Sequence, residues 1–85
     1  MRIAPKNIIR FQVWADVCAE PGSVEIRVTP DRWGGWQAGA VLTPAGQLAP
    51  VALGRVFRST DRDVAAGKMI MWVRRRFARA RAVSS

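Results

Sequence analysis

The sequence predicts an α+β chain, an antiparallel three- to four-stranded β-meander packed against one long C-terminal helix in the order ββββα. Two observations predict the sheet: four segments alternate apolar and polar residues with the period of a strand, and Pro- and Gly-containing breaks separate them. A third predicts the helix, because from Ser59 onward the apolar residues recur every three or four positions. With 85 residues the chain has room for a single domain spanning 1–85.

The first strand is expected over 8–17, where Ile9, Phe11, Val13, Ala15 and Val17 share one face and Arg10, Gln12, Trp14 and Asp16 the other. Cys18, Ala19, Glu20, Pro21 and Gly22 supply turn chemistry, since Pro presets φ and Gly accepts positive φ. The next strand covers 23–29, so the two form a hairpin. Asp31, Arg32, Trp33, Gly34 and Gly35 interrupt the alternation, which resumes over 36–43 with Trp36, Ala38, Ala40 and Leu42 on one side. After a turn at Pro44, Ala45, Gly46 and Gln47, a fourth strand is expected over 51–58, weakened by Gly54.

At Ser59 and Thr60 a hydroxyl N-cap precedes Asp61 and Asp63, carboxylates suited to the unpaired N–H groups and positive dipole of a helix start. On a helical wheel Ala65, Ala66, Met69, Ile70, Val73, Phe77 and Ala80 fall in one arc, the stripe of a helix lying on a sheet. The helix is expected over 61–82.

Composition excludes several function classes. Apolar residues make up 49% and charged residues 24%, which places the chain among folded globular domains. It has no histidine, so the usual general base near neutral pH and the commonest metal ligand are both missing. The single cysteine, Cys18, has no partner for an intramolecular disulfide or a thiolate metal site. No phosphate-binding glycine loop is present, and no nucleophile accompanies the carboxylates. The expectation is a protein that is not an enzyme and needs no metal or cofactor. No 18-residue apolar span or signal-peptide pattern occurs, so the expected location is cytoplasmic, without membrane insertion.

Charge supplies the functional lead. Fourteen Lys and Arg against six Asp and Glu give a net charge of +8, and residues 60–85 hold seven basic and two acidic groups, +5 of that total. On the wheel Lys68, Trp72, Arg75 and Arg79 line one edge of the apolar stripe with Arg76 beside them. Guanidinium groups bind phosphate bidentately and stack on bases, so this basic helical edge is a candidate nucleic-acid surface. The plainer explanation is that last-turn cations complement the helix dipole and cover the rim of a small core.

The tryptophans offer two more surfaces. Trp14 points away from the apolar face of its strand, together with Arg10, and shares the outer face with Arg27. These residues would form either a cation–π pair across the hairpin or a platform on which bases stack. Trp33 and Trp36 flank Gly34 and Gly35 in a loop that either docks a partner or packs on the core edge.

The strands followed by a helix opening at Ser59 and Thr60 with Ala65 and Ala66 early resemble the second half of double-stranded-RNA-binding domains over residues 23–80. That resemblance implies contact with an RNA backbone, although the basic cluster such domains carry at the helix start is here Asp61, Arg62 and Asp63. The run from Ala65 to Trp72 also resembles small proteobacterial proteins built of a β-meander and a C-terminal helix, which implies the architecture and no activity.

The expected function is thus a small binding module for RNA or DNA, using Lys68, Trp72, Arg75, Arg76 and Arg79 with Trp14 and Arg27. The alternative is a protein-interaction or structural module that docks a partner through an edge strand or through Trp33 and Trp36.

Overall fold

A computed structural model describes residues 7–16, 20–47 and 49–83 of the chain. Five strands, β1 (Ile8–Trp14), β2 (Gly22–Pro30), β3 (Trp36–Thr43), β4 (Val51–Ser59) and β5 (Arg79–Ala82), form one antiparallel sheet in the order β4-β3-β2-β1-β5. A single helix, α1 (Arg62–Arg76), lies across β3, β4 and β2 and reaches β5 with its end. The architecture is the α+β meander with one covering helix that the alternation predicts, with one strand more than the sequence suggests.

Register explains the faces. Ile9 pairs with Ile26, Phe11 with Val24, Ile26 with Ala40 and Val28 with Ala38, so the alternating apolar positions of β1, β2 and β3 that form the core fall on one side. The helix presents Ala65, Ala66, Met69 and Val73 to that side, and Phe77 follows them into the core. Ala65 and Ala66 are small enough to let the helix backbone approach the sheet, while Met69 and Val73 are fully buried against Ile26, Val24 and Val28. A fully buried side chain of this size contributes about 1.5–3 kcal/mol.

Three local features differ from the sequence expectation. The first strand stops at Trp14, with Ala15 and Asp16 exposed beyond it, because β2 begins at Gly22 opposite Val13 and offers nothing further to pair. Val17, Cys18 and Ala19, expected in strand and turn, lie outside the described residues. The fourth strand runs over Val51–Ser59 and bulges at Gly54, the weak point its sequence marks, whose φ of 75° falls where the register slips between Gly39 and Val41. Such a bulge needs the left-handed backbone that glycine adopts without cost.

The cap of the helix is a carboxylate, not a hydroxyl. Asp61 is the N-cap, its Oδ1 accepting from the backbone N–H of Asp63 (2.8 Å) and of Val64 (3.3 Å), and Ser59 Oγ accepts from Asp61 N–H at 3.2 Å. The third difference is the helix end. Instead of continuing to 82, the helix stops at Arg76, and Phe77 turns extended (φ −112°, ψ 145°) while its N–H still donates to Val73 O at 3.2 Å. Arg79–Ala82 then pairs with β1 as a strand, Val13 opposite Ala80 and Phe11 opposite Ala82. Ala and Arg are good helix formers, but helix beyond Phe77 would leave the β1 edge unpaired, and pairing satisfies both backbones.

Candidate nucleic-acid interface

The side of the sheet opposite α1 is covered by none of the described elements. Its composition follows from parity: residues paired across an antiparallel ladder share a face, so the partners of Trp14, Gln12, Arg10 and Ile8 lie beside them. Those partners are Arg79 and Arg81 on β5 and Ser23, Glu25 and Arg27 on β2. Farther across, Thr29 pairs with Gln37 and Gln37 with Arg58. Arg10, Arg27, Arg58, Arg79 and Arg81, from four strands, therefore stand on one face. The strands as a set hold six arginines, the sixth being Arg55, and Glu25 is their one acidic residue.

At one corner the Arg79 guanidinium lies 4.5 Å from the centroid of the Trp14 ring. At the centre Glu25 is held between two cations: Arg10 Nη2 is 3.5 Å from Oε1, and Arg27 Nε donates to Oε2. At the opposite corner Arg58 Nε stands 3.6 Å from Asp31 Oδ2. A hollow of about 460 Å³ there is bordered by Arg32, Trp33, Gln37 and Arg58. Near the Trp14 corner a larger polar hollow of about 640 Å³ is bordered by Gln12, Ser23, Thr43 and Arg81.

The loop at the far corner is shaped by close backbone approach. Asp31 N–H donates to Gly35 O at 2.8 Å and Gly34 N–H to Asp31 O at 3.1 Å. A Cβ on Gly35 would stand 2.7 Å from Ser59 O, so only glycine fits where the loop crosses the end of β4. This crossing separates the two loop tryptophans. Trp36 is half-buried and packs on the core, whereas Trp33 is 81% exposed.

The predicted site residues fall into two groups on opposite sides of the sheet. Lys68, Trp72, Arg75 and Arg76 are on α1, where Lys68 and Arg75 are exposed, Trp72 is half-buried against the core, and Arg76 stacks over the Phe77 ring at 5.3 Å. Trp14, Arg27 and Arg79 are on the open face. Arg79 thus leaves the helical edge to which the wheel assigns it. Arg27 is opposite Ile8, at the far end of β1 from Trp14, so the cation facing Trp14 comes from β5 and not from β2.

Sequence reasoning passed over Arg58 and Arg81. Both carried a signal: Arg58 follows the core residue Phe57 within a strand, and Arg79, Ala80, Arg81 and Ala82 alternate with period two.

Among the described residues no three metal-ligating side chains come together, and no helix is long and apolar enough to cross a membrane. The chain matches no family model, and comparisons with curated proteins and with solved structures return no match.

Proposed function

We propose that this chain is a small, non-catalytic cytoplasmic module that binds nucleic acid through the open face of its sheet. One observation carries the reading: five arginines from four strands against one strand glutamate, with an indole under one guanidinium, on the side no described element covers. A core-facing role does not account for these arginines, because the core lies on the other side. Arg10, Arg27, Arg58 and Arg81 supply phosphate contacts, and the Trp14 and Arg79 stack supplies a surface for a base. Arginine on the helix, chiefly Arg74, Arg75 and Arg76, meets the dipole of the last turn and adds to the long-range attraction.

The test is anisotropy of labelled oligonucleotides titrated from 50 to 300 mM salt, with heparin as a polyanion control. Binding that persists near 150 mM and exceeds that of heparin is the expected result. Loss of all binding by 150 mM, with heparin an equal ligand, refutes it. A second reading, docking of a protein partner, is favoured by the exposure of Trp33. It requires salt-tolerant binding that survives loss of the open-face arginines.

A further inference from the structure

Resting on the open-face reading, we infer that the ligand is single-stranded nucleic acid, laid diagonally across the sheet from the Trp14 corner to the Trp33 corner. The juxtaposition that carries this is two aromatic stations at opposite corners of one face, with a guanidinium on nearly every strand between them. Trp14 and Arg79 close one corner at the ends of β1 and β5. Arg10 on β1, Arg27 on β2 and Arg58 on β4 step across the sheet, and Trp33 shares the last hollow with Arg58 and Gln37.

The distance follows from the register. From Trp14 to Ile8, which is level with Arg27, and on to Thr29, which is level with Arg58, the track descends eight residue positions and crosses three strand spacings. At about 3.3 Å per residue and about 4.8 Å per strand the diagonal is about 30 Å. A strand stacked at about 3.4 Å per nucleotide covers it with about nine nucleotides, and an unstacked strand with fewer. That lies within the range of about 4–16 nucleotides bound by small sheet-based domains.

The middle of the track offers a third place for a base. β3 carries no side chain at Gly39, and a groove of about 370 Å³ opens there between Arg27, Val41, Val56 and Arg55. Its floor is mainly apolar and Arg27 stands at one rim, while the Arg55 guanidinium turns to the Phe57 ring, which suits a planar ring with a phosphate on the Arg27 side. At the Trp14 corner a base stacks on the Arg79 guanidinium and extends the indole–guanidinium column; at the other corner it stacks on the exposed Trp33 ring.

These three stations favour a single strand over a duplex. In a duplex the bases stack on one another and show a protein only their edges, so none of the three would be filled. In a single strand the faces of the bases are free.

The experiment measures binding of labelled oligo(dT) and oligo(U) of 3, 6, 9 and 12 nucleotides, and of DNA and RNA duplexes of 12 base pairs, at 100 mM salt. Affinity should climb with length to about nine nucleotides and level off, and the 12-nucleotide strand should bind at least about tenfold more tightly than either duplex. Trp33→Ala and Trp14→Ala should each weaken the 9-mer about 5- to 30-fold. Against the 3-mer, which cannot reach both corners, neither single change should cost more than about threefold. Trp33 is exposed, so its variant keeps the fold and remains informative if Trp14→Ala does not. A duplex that binds as well as the 12-mer overturns this inference and leaves open-face binding standing. An affinity that no tryptophan change alters also overturns it. No binding to either form overturns both.

Discussion

Arg79 opens β5 directly opposite Trp14, the last residue of β1, and its guanidinium lies 4.5 Å from the centroid of the indole ring. The contact does two things at once. It pins the final strand to the sheet, and it leaves a cation and an aromatic plane side by side at the corner of the open face. A cation–π pair at such a site contributes about 0.5–1 kcal/mol. Urea denaturation should therefore show Arg79→Gln to be less stable by about that amount, and the same change in a Trp14→Ala background should cost nothing further. Equal losses in both backgrounds would mean that Arg79 stabilises β5 by another contact.

The two basic surfaces are separable by salt. Replacing Arg10, Arg27 and Arg81 by Gln removes three open-face cations, and for a single strand each phosphate contact contributes about 0.7 to the salt slope. The slope of log affinity against log salt should flatten by about 2 units. Replacing Lys68, Arg75 and Arg76, all on the helix side, should leave it within about half a unit. The reverse pattern would move the site to α1.

Glu25 sits between Arg10 and Arg27 as an internal counter-anion. It competes with phosphate for both guanidiniums, so Glu25→Gln should tighten nucleic-acid binding about two- to fivefold at 100 mM salt. The cost in stability should stay under about 1 kcal/mol, as is usual for exposed ion pairs. Weaker binding would show instead that the carboxylate is needed to hold the two cations in place.

Gly35 carries the turn between β2 and β3. Because a Cβ there meets Ser59 O at 2.7 Å, Gly35→Ala has to push β4 and the loop apart. A loss of about 1–3 kcal/mol in thermal or chemical denaturation is expected, the usual range for overpacking. Gly39→Ala makes a useful contrast: it has no atom within 4 Å to displace, so it should leave stability nearly unchanged while filling the groove beside Arg27.

Most of the fold was legible in the chain itself. Alternation over Ile9, Phe11 and Val13, over Val24, Ile26 and Val28, and over Trp36, Ala38 and Ala40 specified three strands and which face of each is buried. Local patterning sufficed there because period two is unambiguous once a strand is half-buried. The placement of Arg10, Arg27 and Trp14 on one outer face was legible for the same reason. The register of β1 on β2 was not: seven positions separate Trp14 from Gly22, so no short turn type dictates which residues pair. Arg27 therefore came to lie opposite Ile8, and Trp14 took its cation from β5.

The stretch from Phe77 to Ala82 divides the two levels most clearly. Composition and periodicity established a basic chain without histidine, a meander, and a helix beginning near Asp61, all properties of neighbouring residues. Where that helix ends is not such a property. Phe77, Ala78, Arg79, Ala80, Arg81 and Ala82 suit a helix by propensity and continue its apolar stripe, yet beyond Phe77 the chain extends and pairs along β1. The free edge of β1 is built by residues some seventy positions earlier, and its unpaired backbone groups outweigh a preference of a few tenths of a kcal/mol per residue. That long-range pairing moves Arg79 and Arg81 from the helix to the open face of the sheet.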